Sequence, residues 1–283
     1  MFVGMPEQLA GRLSVASLNT RGVPVLGSQL AGRYAAIGTA FEAGPAEVAC
    51  FQEVLTYGHL RLLVQRMPSF AHVSYRSSFA GPAGGLVTFS RLPVSGSEYR
   101  GFGSPPGAPG ISRLGQLRAR LKGALVTRMA RLGLCIVNTH PVANRDGDWS
   151  RANRFYPLHR AQLAALARIV RDIRVPAVVC GDFNVDRGSS LFAEFMAGTG
   201  LTDAFEGSCP ATFRAEYLRA GEVGHCIDFI LTPAGVKAQA TGLLLAGQVE
   251  LPGGPGYASD HIGLHADLLV APRRSSTLGR TDR

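Results

Sequence analysis

The sequence predicts an α/β fold in four layers, α/β/β/α, with two β-sheets packed together and helices outside them. Apolar runs of strand length outnumber the helical stretches and have helices set between them. Thirty-five glycines and seventeen prolines imply many tight connections, as in a fold of numerous short strands. A third observation concerns chemistry as well as fold. Four runs end in an acid, amide or histidine: Cys50-Phe51-Gln52-Glu53, Asn138-Thr139-His140, Cys180-Gly181-Asp182-Phe183-Asn184 and Ser259-Asp260-His261. Polar groups delivered repeatedly to the ends of buried strands mark a site assembled from across the whole chain.

Leu13 to Leu18 reads as a strand that breaks at Asn19-Thr20-Arg21-Gly22, and residues 29–43 as a helix. Val48 to Phe51 is a second buried strand ending at Glu53, and Gly84 to Ser90 a third, stopped by Pro93. Residues 101–110 are rich in glycine and proline and read as a loop. Ala124 to Met129 and Leu134 to Asn138 pair as a hairpin turning at Arg131-Leu132-Gly133. Leu163, Leu166, Val170 and Ile173 recur at helical spacing until Pro176 ends the helix. Ala177 to Cys180, Ile227 to Leu231 and Leu264 to Val270 are further strands. No Pro- or Ser-rich linker divides the chain, so one domain is expected over residues 1–271, followed by a disordered basic tail, 272–283.

The net charge is +9, and only Lys122 and Lys237 among the twenty-nine basic residues are lysine. Arginine-rich composition accounts for much of this, and the charge also suits phosphate-rich partners, nucleic acid or an anionic membrane surface. No stretch approaches the ~18 apolar residues of a membrane span, and the first residues lack a signal-like pattern. Cys50, Cys135, Cys180, Cys209 and Cys226 are scattered without metal-finger spacing. A cytoplasmic protein is expected, with peripheral membrane association as a further possibility.

Glu53, Asp182, Asp228 and Asp260, gathered in one cleft, would repel one another unless a divalent cation joined them. Carboxylate and amide oxygens favour Mg²⁺ or Mn²⁺ over zinc. His261 directly follows Asp260, so in extended chain their side chains diverge and another acid must orient the imidazole. Asp228 is the candidate, leaving His261 as a general base toward water. His140 is suited to stabilise phosphoryl charge or protonate a leaving group. Asn19 and Asn184 can bind a metal or position water without adding negative charge. Lys122 offers a point charge for phosphate. His59, His72, His159, His225 and His265 read as structural.

These segments, with Leu18-Asn19-Thr20, Gly85 to Arg91 and Ile227-Asp228-Phe229, resemble in order the endonuclease/exonuclease/phosphatase superfamily, the DNase I-like enzymes, over residues 13 to 270. Lys122-Gly123, His159-Arg160-Ala161-Gln162, the run from Cys180 through Asp203-Ala204-Phe205, and Gly224-His225-Cys226-Ile227-Asp228 are similar to the neutral sphingomyelinase branch. The resemblance implies two packed mixed sheets with the metal site at one edge. It implies metal binding by Asn19, Glu53 and Asp260, with the nucleophilic water held by Asp182 and Asn184. His261 would act as base or phosphate ligand, oriented by Asp228, and His140 as the second phosphate-contacting histidine. Arg21 stands where many members carry Trp. The aromatic hairpin by which secreted bacterial sphingomyelinases enter membranes has no clear equivalent between Thr232 and Ser259. Leu243-Leu244-Leu245, or the loop with Trp149, Phe155 and Tyr156, is the candidate substitute. Two substrates remain open, a phospholipid such as sphingomyelin and the phosphodiesters of DNA or RNA. A non-catalytic binding protein is disfavoured by the intact acid and histidine set.

Overall fold

A computed structural model describes residues 11–23, 29–104 and 110–271. The expected tail and the centre of the 101–110 loop lie outside them. One six-stranded sheet contains β1 (Gly11–Asn19), β2 (Val48–Gln52), β3 (His72–Ser74), β4 (Val87–Ser90), β11 (Val236–Leu244) and β14 (Gly263–Val270), in the order β11-β14-β1-β2-β4-β3. The other contains β5 (Gly96–Gly101), β6 (Gly123–Met129), β7 (Leu134–Thr139), β8 (Ala177–Asp182), β9 (Thr202–Asp203) and β10 (Asp228–Thr232), in the order β5-β6-β7-β8-β10-β9. A short hairpin, β12 (Val249–Leu251) with β13 (Gly254–Gly256), stands apart.

Both sheets are mixed in the same way. Each has a single parallel pair at its centre, β1 with β2 and β7 with β8, and its other pairings are antiparallel. A parallel pair requires a crossover. Helix α1 (Leu30–Ala43) supplies the first and α4 (Tyr156–Asp172) the second. α4 begins seven residues before Leu163 because Pro157 is pre-set for the first helical turn, and it ends short of Pro176 as expected.

Alternation along the strands assigns the layers. Leu13, Val15, Val48 and Cys50 face the second sheet and join its core, where Cys50 meets Cys180 across the interface. Ala16, Leu18, Ala49 and Phe51 face the other way, against Tyr34, Ile37 and Phe41 of α1 and Leu60 and Leu63 of α2 (Tyr57–Arg66). Beyond the second sheet, Leu163, Leu166 and Val170 of α4 are buried. Phe183 and Phe229 pack there against Phe192 and Phe195 of α5 (Ser190–Thr199). Helix α3 (Arg113–Arg120), not foreseen in the sequence, rests on a small separate cluster of Ile111, Ala119, Val142, Phe155 and Leu158.

Candidate active site

The topology brings the polar strand ends together. Parallel strands β1, β2, β7 and β8 all finish at one edge of the sandwich, delivering Asn19, Glu53, His140 and Asp182 there. β10 runs antiparallel to β8 with Asp228 opposite Asp182. β14 runs antiparallel to β1, so the residues just before it, Ser259, Asp260 and His261, reach the same edge. Gly181 lets β8 lie flush on β7, since a Cβ at its φ of +146° would sit 2.0 Å from the Thr139 carbonyl oxygen.

Asp182 is the hub. Its carboxylate accepts from Asn19 Nδ2 at 2.9 Å, from the Asn184 backbone N–H at 2.8 Å and from Asn184 Nδ2 at 3.2 Å. His140 Nε2 lies 3.4 Å and His261 Nε2 3.8 Å from the same oxygen. Burial alone would raise this carboxyl, but His261, His140 and Asn19 outweigh it and hold Asp182 well below the usual carboxylate range. Asp182 is therefore ionised throughout the neutral range.

His261 meets Asp228. Its Nδ1–H points at Asp228 Oδ2, 2.8 Å away, and the Phe213 ring packs edge-on against it. Burial pushes the imidazole down, yet Asp228, Asp182 and Asp260 outweigh that and carry it up to about 10. Asp228 is pushed up by burial and by Asp182, and its Oδ1 is buried without a hydrogen bond. Thr212, which sequence reasoning missed, accepts from the Ile227 and Asp228 backbone N–H groups and so seats the start of β10. Thr212 lies between the motifs, in a stretch with no chemical pattern of its own, and carries no signal in the sequence.

His140 Nδ1 lies 3.0 Å from Lys122 Nζ. An ammonium only donates, so Nδ1 is the acceptor and the ring N–H is on Nε2, turned toward Asp182. Lys122 is half-buried and pushed down to about 8 by that burial. The lysine expected to be a free charge on phosphate is thus tied to a histidine and fixes its tautomer.

Glu53 and Asp260 form the more open side. Their side chains remain 21% and 19% accessible, and Asp260 is raised by burial and by the neighbouring Glu53 charge. Glu53 has a φ of +59° and Asn184 of +52°, left-handed conformations that cost a glutamate of order 1 kcal/mol. Ser259 Oγ donates to the Asn19 carbonyl and accepts from the His261 N–H, which fixes the turn carrying Asp260. Arg21, stacked 4.2 Å from the Tyr217 ring centroid, pairs with Asp260 at 3.4 Å. Glu53, Asp260 and the Asn19 amide could supply the oxygen donors that a hard divalent cation takes, although the Asn19 Oδ1 here accepts from the Arg21 N–H at 3.0 Å. The tighter group of Asp182, Asp228 and His261, with ligand atoms within 4.8 Å of one another, suits a shared proton better, because its centre is an imidazole already bonded to one carboxylate.

Beside Glu53, Lys122 and His140 opens a cleft of about 810 Å³. Val23, Leu55, Ile111, Leu114, Leu121 and Val142 form its apolar walls. Of the apolar candidates from the sequence, only Leu243 is exposed. Leu244 packs against the outer core, Phe155 and Tyr156 are buried, and Trp149 donates to the Asn184 carbonyl at 2.9 Å.

Residues 16–261 match the model of the Endonuclease/Exonuclease/phosphatase family. The chain belongs to this family, a class of metal-dependent enzymes that hydrolyse phosphoric ester bonds. Human "Sphingomyelin phosphodiesterase 2" is 28% identical over 212 residues, 71% of this chain and 48% of that protein, so the chain spans about half the length of its curated relative. D. rerio TDP2 complexed with a single-strand DNA product superposes with a TM-score of 0.67 at 17% identity, covering 91% of this chain and 98% of that one. A mutant beta toxin from Staphylococcus aureus with bound magnesium ions superposes at 0.68 and 17% identity, covering 90% and 99%. The superpositions establish the shared sandwich of two mixed sheets. Among the described residues, no helix is long and apolar enough to cross a membrane.

Proposed function

We propose that the chain is a Mg²⁺- or Mn²⁺-dependent phosphodiesterase that hydrolyses a phospholipid of the sphingomyelin kind. The observation that carries the lipid reading is the apolar wall of the cleft beside Glu53, Lys122 and His140. Arg118, Arg145 and Arg154 line the same cleft and would meet the phosphate of either substrate, so the apolar wall is what favours lipid over a nucleic-acid strand.

In this reading Asn19, Glu53 and Asp260 hold the cation, which when bound would neutralise charge on the phosphoryl group. Asp182 and Asn184 align the attacking water. His140, its Nε2–H fixed by Lys122, donates to a phosphoryl oxygen. His261, bonded through Nδ1 to Asp228, serves as the base toward that water or, alternatively, as a donor to phosphate. Against burial, Asp228, Asp182 and Asp260 raise its affinity for protons to about 10, which favours the donor role, and the pH profile of turnover distinguishes the two.

The arginine-rich +9 charge favours a second reading, hydrolysis of DNA or RNA. Purified protein with Mg²⁺, offered sphingomyelin in detergent micelles and plasmid DNA in parallel with EDTA controls, decides between them. Phosphocholine release with intact plasmid is expected; nicked plasmid with untouched sphingomyelin would replace the lipid reading by the nuclease one.

A further inference from the structure

We propose that the mouth of the cleft is a docking surface for an anionic phospholipid bilayer, built from α3 and the turn at Phe79; this deepens the lipid reading above and rests on it. The first observation is α3 itself. Leu114, Leu117 and Leu121 recur at i, i+3 and i+7, the spacing that normally faces a core. Here Ala119 faces the core, and the three leucines are 57%, 54% and 62% exposed. Leu114 and Leu121 also line the cleft, so the stripe runs from its wall onto its rim.

The second observation is the turn between Ser78 and Pro82, which line the same cleft. Between them Phe79 is fully exposed. The turn that carries it is braced: the Ser78 N–H and hydroxyl both donate to the Gly81 carbonyl, at 3.0 and 2.7 Å, and Tyr57 donates to the Ser78 carbonyl at 2.8 Å. Gly81 is required there, because a Cβ would fall 2.5 Å from the Leu55 carbonyl oxygen. An aromatic ring held out in solvent by an ordered turn is placed for insertion into an interface.

Charge selects the bilayer as occupant. Arg113, Arg118 and Arg120 stand exposed on α3, and Arg76, just before the Phe79 turn, and Arg145, in the cleft lining, are exposed too. No acidic residue occurs between Arg100 and Asp146. Apolar side chains fringed by cations complement acyl chains beneath anionic headgroups. A second copy of this chain would meet the same cations and be repelled. Nucleic acid would leave the leucines without a partner.

The test is flotation of the full chain in EDTA, where docking is read without turnover, using phosphatidylcholine vesicles with and without phosphatidylserine. We expect co-flotation with the mixed vesicles that drops about tenfold in Leu117→Glu combined with Phe79→Ser, while hydrolysis of soluble bis(p-nitrophenyl) phosphate with Mg²⁺ persists. In an otherwise native chain, Phe79→Trp should gain blue-shifted indole emission on mixing with the same vesicles. A wild type that stays unbound, a double variant that floats equally well, or an indole spectrum unmoved by vesicles would overturn the docking surface. So would a dimer or an oligonucleotide complex that Leu117→Glu abolishes. Vesicle binding without hydrolysis of any diester would instead sink the proposed function and leave the surface standing.

Discussion

His261 is held between two carboxylates of unequal roles, bonded to Asp228 through Nδ1 and facing Asp182 through Nε2. Its proton is released only as pH rises toward about 10, so an enzyme that uses the imidazolium should keep its rate through neutrality and lose it on the alkaline side. A base at this position would give the reverse, a rate climbing through pH 6 to 7; the pH profile of kcat under saturating Mg²⁺ separates the two. His261→Ala should lower kcat about 10³-fold in either case, and near-full turnover in that variant would remove His261 from the mechanism. Glu53 makes a different prediction because it faces the open side. Glu53→Gln keeps the shape and removes the charge, so the Mg²⁺ activation curve should move to at least about tenfold higher concentration. An unmoved curve would take Glu53 out of the ligand set.

At the scale of elements, α4 shows how a helix far from the chemistry holds the site. His159 Nε2–H donates to the Val142 carbonyl at 2.8 Å, Gln162 Oε1 accepts from the Val142 N–H at 2.9 Å, and Gln162 Nε2 donates to the Ala119 carbonyl at 3.1 Å. One turn of helix thus pins the segment after His140 and the end of α3 together. His159 Nδ1 is buried without an acceptor, so a second proton would have no partner, and burial pushes the ring down to about 4. Between the unfolded value near 6.5 and about 4 the unfolded chain binds a proton that the folded chain refuses. The stability contributed by neutral His159 is full above the unfolded value. It is lost as pH falls toward 4, by on the order of 3 kcal/mol. Denaturant titrations across this window should show that slope, and His159→Gln should flatten it; an unchanged slope would place the pH dependence elsewhere. The sequence reading treated His159 as structural, which this agrees with. β1, α1, β2, β4, the β6–β7 hairpin, α4, β8, β10 and β14 are legible in the sequence, most of them as runs of buried apolar residues with a clear stop. Not legible in it are α2, α3, α5, β3, β5, β9, β11, β12 and β13. The stripe on α3 is apolar but points to solvent, and β11 alternates only weakly, with most of its residues partly or fully exposed. Patterns of burial do not reveal α3 or β11, which bury little. Helices α2 and α5 bury leucines and phenylalanines but are only 10 residues each, too short for a helical period to stand out. The site was more legible than the fold around it, since its residues stand where strands stop. The partnerships were not: Lys122 with His140 and Arg21 with Asp260 depend on turns that bring distant chain together.

Across the whole molecule, the site is a seam. Asn19, Glu53, Asp260 and His261 come from the first sheet, and His140, Asp182 and Asp228 from the second. The bonds Asn19–Asp182 and His261–Asp228 therefore cross from one sheet to the other. Deeper in the sandwich, Asn138 also bridges the sheets and is fully buried. Its Nδ2 donates to the Phe51 and Val87 carbonyls, both at 3.0 Å, and its Oδ1 accepts from Gln52 Nε2 at 2.8 Å. Every one of these partners is in the first sheet, so a single amide from β7 ties β2 and β4 to the second. Asn138→Ala would leave those groups buried and unsatisfied and should cost about 3 kcal/mol or more. If the amide also sets the gap across which Asp182 meets Asn19, kcat should fall at least about tenfold at a temperature where the variant is still folded. Asn138→Asp is the matched control. It restores the acceptor for Gln52 but offers the two carbonyls a charge, so it should recover neither stability nor rate. The decisive comparison is denaturation midpoint against kcat for both variants. A loss of stability with turnover untouched would mean that the sheets are spaced by their apolar core alone and that Asn138 serves only the fold.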